Sequence, residues 1–212
     1  MPEQPMVVVR GEAVREVPPE LAQFSVTVSV RDKDRQATLT RLTERAAQVR
    51  TALDDYPDAV ERRETSGVQV HPQLKRGGAI SAYVGSVSTT VTVTDFAALG
   101  EILLRLAGIE DAAISGPWWQ LRPGSRAGAE VRREAIDDAL GRAKEYAEAV
   151  GARVERLAEI SDEGTGGGGG MMRAAAFGME SAADLELELD PQPQTVHASV
   201  IVRVLISEVR MS

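Results

Sequence analysis

The 212-residue sequence contains no cysteine. The absence of thiols excludes a disulfide framework, a thiolate nucleophile and a zinc site built on cysteine. Histidine is almost as scarce, because His71 and His197 are the only two. A metal site would need one or both of them joined by carboxylates. Since each histidine falls within a strand pattern, we interpret both as sheet-surface residues and predict that the chain holds no metal ion.

The chain also lacks a surplus of positive charge, because 24 Lys and Arg residues stand against 32 Asp and Glu residues and the net charge is -8. Nucleic acids and anionic lipid surfaces attract clustered Lys and Arg, so this balance argues against both as partners. The first residues show no basic segment followed by an apolar one, and no stretch is apolar enough to span a bilayer. These patterns favour a soluble, cytoplasmic protein.

Catalytic motifs are absent or weak. No G-x-S-x-G segment occurs, so a serine hydrolase of that kind is not supported. Residues Gly164–Gly170 match the dinucleotide pattern G-x-G-x-x-G, with Asp184 and Glu186 where a ribose-binding acid would lie. However, a glycine tract satisfies any such pattern, and no Lys followed by Ser or Thr comes after it, as a phosphate loop requires. We interpret the tract as a linker and predict no catalytic residue and no cofactor.

What is present is a regular succession of strand and helix patterns. Residues Val7–Val17 predict a strand that ends at Pro18-Pro19, and Phe24–Val30 alternates as a half-buried strand. Asp32 or Asp34 then caps a helix. An apolar stripe follows at three- and four-residue steps, formed by Leu39, Leu42, Ala46, Val49 and Leu53. Because two heptads are too few for a coiled coil, we expect this helix to pack on a sheet.

The same order then repeats. Residues Lys75–Gly78 predict a hairpin turn, and Thr94 or Asp95 begins a helix with Gly108 at its end. A strand over 112–121 comes next. The alanine-rich helix over 127–150 ends before Gly151, and its stripe of small residues lets it lie close to a sheet, namely Val131, Ala135, Ala139, Ala143, Ala147 and Val150. A short strand near 157–161 and a long strand over 195–207 follow. Because both faces of the last strand carry apolar residues, we place it inside the sheet. The order ββα-ββα-βα-ββ predicts an α+β fold, with a mostly antiparallel sheet and helices packed on one face.

We expect one domain over residues 1–212, interrupted at about 162–194 by an insertion rich in glycine, methionine and acidic residues. Met171, Met172, Phe177 and Met179 within it could provide an adaptable contact surface or belong to a disordered linker. The pair Trp118-Trp119 lies in a predicted strand, where neighbouring side chains point to opposite faces. One ring therefore fills the core, and the other is either a partner anchor or covered at the rim.

Three local patterns together resemble the SIMPL-domain family, a domain of unknown function with YggE-like bacterial members. They are the first strand with Gly11 leading through Val17-Pro18 to Phe24–Val30, the segment Tyr83–Val93 running into Asp95-Phe96, and the helix Val131–Val150 before the last strands. The resemblance implies an α+β domain that often oligomerises, with no established enzymatic activity and no catalytic residues to carry over. Bacterial members include oxidative-stress defence proteins and many are exported, whereas animal members are linked to binding a signalling kinase. This sequence shows no export signal.

These observations predict a non-enzymatic protein of unknown biochemical role that acts through protein–protein contacts, as a homo-oligomer or with another protein partner. A stress-related role is implied by the resemblance. The surfaces singled out are Trp118, Trp119 and the segment Gly164–Leu189. The alternative is a small-molecule binding protein or an enzyme, with a pocket under the 162–194 insertion.

Overall fold

A computed structural model describes residues 4–162 and 187–209. These residues form seven strands and three helices in the predicted order. The elements are β1 (Met6–Val17), β2 (Leu21–Asp32), α1 (Arg35–Asp54), β3 (Val60–Leu74), β4 (Ile80–Val93), α2 (Phe96–Ala107), β5 (Ala112–Gln120), α3 (Arg126–Ala149), β6 (Val154–Asp162) and β7 (Gln194–Ile206). The α+β class is therefore confirmed.

The strands form two antiparallel sheets where the sequence led us to expect one. One sheet has the order β1-β7-β6 and the other β3-β4-β2-β5. The described chain accordingly divides into two compact units, the first comprising residues 4–18, 122–162 and 193–209, and the second residues 19–121 and 187–192. The alternation of apolar and polar residues along a strand identifies its buried face but not the strands that pair with it. The sequence pattern therefore could not predict that the strands divide into two sheets. The break at Pro18-Pro19 coincides with the boundary between the units.

In the first unit, α3 packs on β1 and β7. The helix buries a stripe of small side chains completely, namely Val131, Ala135, Ala139, Ala143 and Ala147. Val150, which the sequence placed on the same stripe, is instead 40% exposed. Strand β7 lies between β1 and β6, which confirms its predicted interior position.

In the second unit, α1 and α2 cover one face of the four-stranded sheet. The core consists of alternate residues of β2, including Phe24, Val26 and Val28, together with the apolar faces of both helices. Leu42, Val49 and Leu53 of α1 are buried there, which confirms the predicted packing of this helix on a sheet. The opposite face of β2 carries Ser, Thr and Gln, so the alternation read from the sequence is the alternation of the folded strand.

The structure shows which of the predicted capping residues cap each helix. The carboxylate of Asp34 accepts a hydrogen bond from the Ala37 N–H at 2.8 Å, and that of Asp95 caps α2 at the Ala97 N–H. Gly151 follows α3 with a positive φ of 70°, as expected for the residue that ends a helix. Gly108 differs, because its φ of -73° keeps it in the right-handed region.

Candidate interaction surface

The two histidines belong to different units and both are exposed. His71 lies in β3 and pairs with Val84, and His197 lies in β7 and pairs with Val14. Within residues 4–162 and 187–209, no group of three or more histidine and acidic side chains could hold a metal ion. Each histidine therefore lies on a sheet surface, as its strand pattern indicated.

The tryptophan pair divides between the two faces of β5. Trp119 pairs with Ala22 and points to the core face, where its ring meets the Phe96 ring edge-on at 4.9 Å between centroids. Trp118 pairs with Gln23 on the polar face and is half-buried. The expectation that the rings point to opposite faces is confirmed. Because Trp119 packs against the core, its substitution would perturb stability and would be a poor probe of association.

The predicted insertion lies largely outside the described residues, including Gly164–Gly170, Met171, Met172, Phe177, Met179 and the acids Asp184 and Glu186. Its described end packs in the second unit, where Leu187 and Leu189 contact the core and the intervening Glu188 is exposed. The Leu187 carbonyl oxygen lies 2.1 Å from the position that a Cβ on Gly100 would occupy. This contact therefore requires glycine at position 100 of α2.

A groove of about 550 Å³ lies between α1 and the end of α2 in the second unit. It is lined by Arg45, Gln48, Thr51, Arg105 and Glu110 among others. Its two arginines are already paired, since Arg45 contacts Glu110 and Arg105 contacts Asp55. The charges at this groove are thus compensated by the chain itself, which leaves little to attract a charged ligand.

Tyr56 lies beside this groove, and the pKa of its hydroxyl group is shifted. Partial burial and the hydrogen bond that its hydroxyl donates to Glu101 at 2.7 Å raise the pKa of Tyr56. The guanidinium of Arg105 lies 5.6 Å from the centre of the Tyr56 ring. The hydrogen bond between the two side chains raises the pKa of Arg105. Both shifts favour the forms already present at neutral pH, so they provide no reactive group there.

Strand β1 lies at one edge of its sheet, and side chains of α3 bind to it. The carboxylate of Asp138 accepts a hydrogen bond from the Glu12 N–H at 3.1 Å, and Arg142 donates to the Arg10 carbonyl at 2.8 Å. Further along, Arg15 binds Glu130 and Glu134 of the same helix. The backbone groups that an edge strand normally presents to another chain are here partly occupied by side chains of α3.

Strand β3, at the edge of the other sheet, has a different surface. It pairs with β4 on one side, and no other described strand pairs with it. From Thr65 to Leu74 the strand carries no Asp, Glu, Lys or Arg, and most of these residues are exposed. Val68 is 64% exposed, Leu74 59% and Ile80, across the hairpin, 52%. Uncharged, partly apolar edges can pair with another chain, although Pro72 and the β-bulges at Thr65/Gly67 and Gln73/Leu74 limit the regular part of this edge to the residues between the bulges.

The model of the SIMPL family, described as a protein of unknown function (DUF541), matches residues 7–204. The chain belongs to the SIMPL family. One solved structure, of an uncharacterized protein from Thermotoga maritima, is similar at 16% identity over 46% of this chain and 98% of its own, with a TM-score of 0.26. No curated protein matches significantly.

The exposed edge of this SIMPL protein is the feature that the sequence interpretation missed. The uncharged segment between Arg76 and Asp95 corresponds to the hairpin turn and β4, whereas the exposed, uncharged half of β3 lies before that turn. Ten consecutive uncharged residues precede Lys75, but runs at least as long occur at 77–94, 112–121 and 191–202, so the sequence alone did not single out this edge. None of the described helices is both long and apolar enough to cross a bilayer.

Proposed function

We propose that this SIMPL chain acts without catalysis, as a protein that associates with other protein chains and in particular with itself, through the edge of β3 with which no described strand pairs. The observation that carries the proposal is the exposed, uncharged segment Thr65–Leu74 at the edge of a sheet. Edge strands of monomeric proteins usually carry charges or a covering element that prevents such pairing. The β1 edge of this chain carries both, whereas the Thr65–Leu74 segment of β3 carries no charge and is interrupted only by Pro72 and two β-bulges, at Thr65/Gly67 and Gln73/Leu74.

The composition of the edge supports association with protein. Interface cores are depleted in charged residues relative to the remaining surface, and the Thr65–Leu74 segment meets this criterion. The charged groups around the α1–α2 groove are paired within the chain, which leaves the β3 edge as the better candidate for a contact surface. A stress-related role and a cytoplasmic location stay predictions from the sequence. The alternative of a pocket under the 162–194 insertion falls mainly on residues that lie outside the described chain.

The test compares one lysine substitution in each edge strand. Val68→Lys places a charge on the β3 edge, where Val68 is 64% exposed, and Val14→Lys places the same charge on β1, where Val14 is 60% exposed. Light scattering over a range of protein concentrations measures self-association. We expect the parent chain to associate reversibly, Val68→Lys to weaken association by about tenfold or more, roughly 1.4 kcal/mol, and Val14→Lys to leave it unchanged.

Each outcome has a defined meaning. Both valines are mostly exposed, so both variants should fold with thermal stabilities within about 0.5 kcal/mol of the parent. A parent chain that stays monomeric at every concentration would contradict the proposal. Association that Val14→Lys weakens and Val68→Lys does not would move the contact to β1 and would contradict it equally.

A further inference from the structure

Residues 187–190 form a short segment that packs in the second unit. Leu187 and Leu189 are half-buried against the core, whereas Glu188 and Asp190 are exposed. This alternation is typical of an extended backbone, which places every second side chain on the same side. The segment therefore presents a pair of leucines to the core and its acidic side chains to water. It belongs to none of the described strands, and β6 and β7, which flank it in sequence, belong to the first unit.

The segment meets α2 at Gly100, in the middle of the helix. Gly100 is buried, and a Cβ on it would lie 2.1 Å from the carbonyl oxygen and 3.2 Å from the carbonyl carbon of Leu187. A glycine inside a helix lowers the stability of the helix relative to alanine, so its presence needs another reason. The close approach of the 187–190 backbone supplies that reason. Since the contact involves main-chain atoms, any peptide in the same conformation could make it.

The helix face around Gly100 adds a preference for apolar side chains. Phe96, Leu103 and Leu104 lie three or four positions from Gly100 and therefore on the same side of α2. Only two of the twelve residues of this helix are charged. A helix that is apolar on more than one side needs cover on each of them. The sheet covers one side of α2, and the leucine pair of residues 187–190 packs at the side that carries Gly100.

Little else holds the segment in place. Within residues 4–162 and 187–209, no hydrogen bond joins residues 187–190 to the rest of the chain. The sequence over 184–190 also alternates three leucines with acidic residues, so a shift by two positions presents the same pair of leucines. A contact that depends on two leucines and a backbone approach can be exchanged for a matching segment of another protein.

We infer that the face of α2 around Gly100 is a docking site for an extended peptide of another protein, with leucines two positions apart and acidic residues between them. Residues 187–190 are the internal ligand of this site and keep it closed. A ligand in the same chain has a high effective concentration, so an external peptide binds only where it displaces the segment. The inference goes beyond the proposed function, because it concerns α2 and not the edge of β3.

The test opens the site and adds the segment back as a peptide. Leu187→Ser/Leu189→Ser removes both leucines, and Glu188→Ser makes the same replacement at the exposed position between them. The probe is a fluorescent peptide with the sequence of residues 183–191, and anisotropy measures its binding. A site that is closed nine-tenths of the time or more loses about tenfold or more in apparent affinity. We therefore expect the opened chain to bind the peptide at least about tenfold more tightly than the parent and Glu188→Ser chains.

Gly100→Ala in the opened chain shows whether the peptide binds at the inferred place. Alanine is the better helix former, so this variant should keep its fold. The new Cβ would lie 2.1 Å from a peptide carbonyl oxygen placed as that of Leu187 is, so we expect the affinity for the peptide to fall by about tenfold or more. A peptide with serine in place of both leucines should bind none of the chains.

Circular dichroism and thermal unfolding check the fold of each variant. If the double variant does not fold, Leu187→Ser replaces it, because this single change leaves one leucine of the pair in either register. The inference would be overturned by a folded, opened chain that does not bind the peptide, by equal affinities of the parent and opened chains, or by an affinity that Gly100→Ala leaves unchanged. Val68→Lys changes β3 and should not alter peptide binding, so failure here is distinct from failure of self-association in light scattering.

Discussion

The two long edge strands of this protein have opposite surfaces. Strand β1 lies against α3 and is fixed there by Asp138, Arg142 and the pairs of Arg15, so its backbone is guarded by charged side chains. Strand β3 carries ten uncharged residues in succession and has no described strand on its outer side. The protection of β3 is of another kind, because Pro72 and the β-bulges at Thr65/Gly67 and Gln73/Leu74 interrupt its outer edge without charge, so the uncharged residues between the bulges stay the part of either edge that is open to contact.

The largest difference between the two edges is expected when one glycine of each edge strand is replaced by alanine. A Cβ on Gly11 of β1 would lie 2.0 Å from the Ala135 carbonyl oxygen and 2.6 Å from the Ala139 Cβ. Neither neighbour can move without shifting α3. We therefore expect Gly11→Ala to destabilise the first unit by about 3 kcal/mol or more, measured as a fall in the urea midpoint.

Gly67 of β3 provides the matched control. A Cβ there would meet nothing within 4 Å, and Gly67 does not have a positive φ. Gly67→Ala should therefore change the free energy of unfolding by less than about 1 kcal/mol, in either direction. Equal losses of stability for the two variants would show that α3 does not approach β1 as closely as the structure indicates.

Part of the contrast between β1 and β3 could be predicted from the sequence. The alanine spacing of α3 indicated a helix that lies close to a sheet, and Gly11 was part of the family resemblance. What the sequence could not supply is that Gly11 and Ala135 are in contact, because they are separated by more than 120 residues and no periodicity links them. Likewise, Asp138 and Arg142 have the spacing of a surface ion pair, whereas each also binds the backbone of β1.

The pairing of strands was the other limit. Strand boundaries, caps and buried faces depend on local chemistry, so Asp34, Asp95, Gly151 and the β2 alternation were recognisable. The division into two sheets depends on which strands pair, and several antiparallel arrangements satisfy the same alternation. The availability of β3 could be recognised only once its position at a sheet edge was known. Charge depletion alone had several interpretations.

A second prediction removes the protection of β1 at one point. Asp138→Ala leaves the Glu12 N–H without its acceptor and removes one partner of Arg142. The acceptor is ionised but partly exposed to water, so we expect a loss of about 1 kcal/mol of unfolding free energy. Hydrogen exchange of the Glu12 amide should also become faster, since its protection depends on this contact.

The neighbouring acid serves as the control for that prediction. Asp137 is exposed and lies one position away on α3, so Asp137→Ala should change stability by less than about 0.5 kcal/mol and leave the exchange of Glu12 unaltered. An equal effect of both substitutions would mean that the general charge of α3, and not the specific bond to β1, is what matters.

The smallest expected effect concerns salt, and it distinguishes the two edges by sign. A contact made through the charged β1 edge would weaken as salt is added, because ion pairs are screened. A contact made through the uncharged part of β3 has little attraction to lose, while the repulsion between two chains of charge -8 is reduced. As the Debye length falls from about 10 Å at 0.1 M to about 3 Å at 1 M, we expect self-association to strengthen, by no more than about threefold.

Sedimentation at several salt concentrations measures this, with Val68→Lys as a reference that adds charge to the contact. A marked weakening of the parent dimer in salt would show that charged residues hold the copies together, which the Thr65–Leu74 edge could not explain.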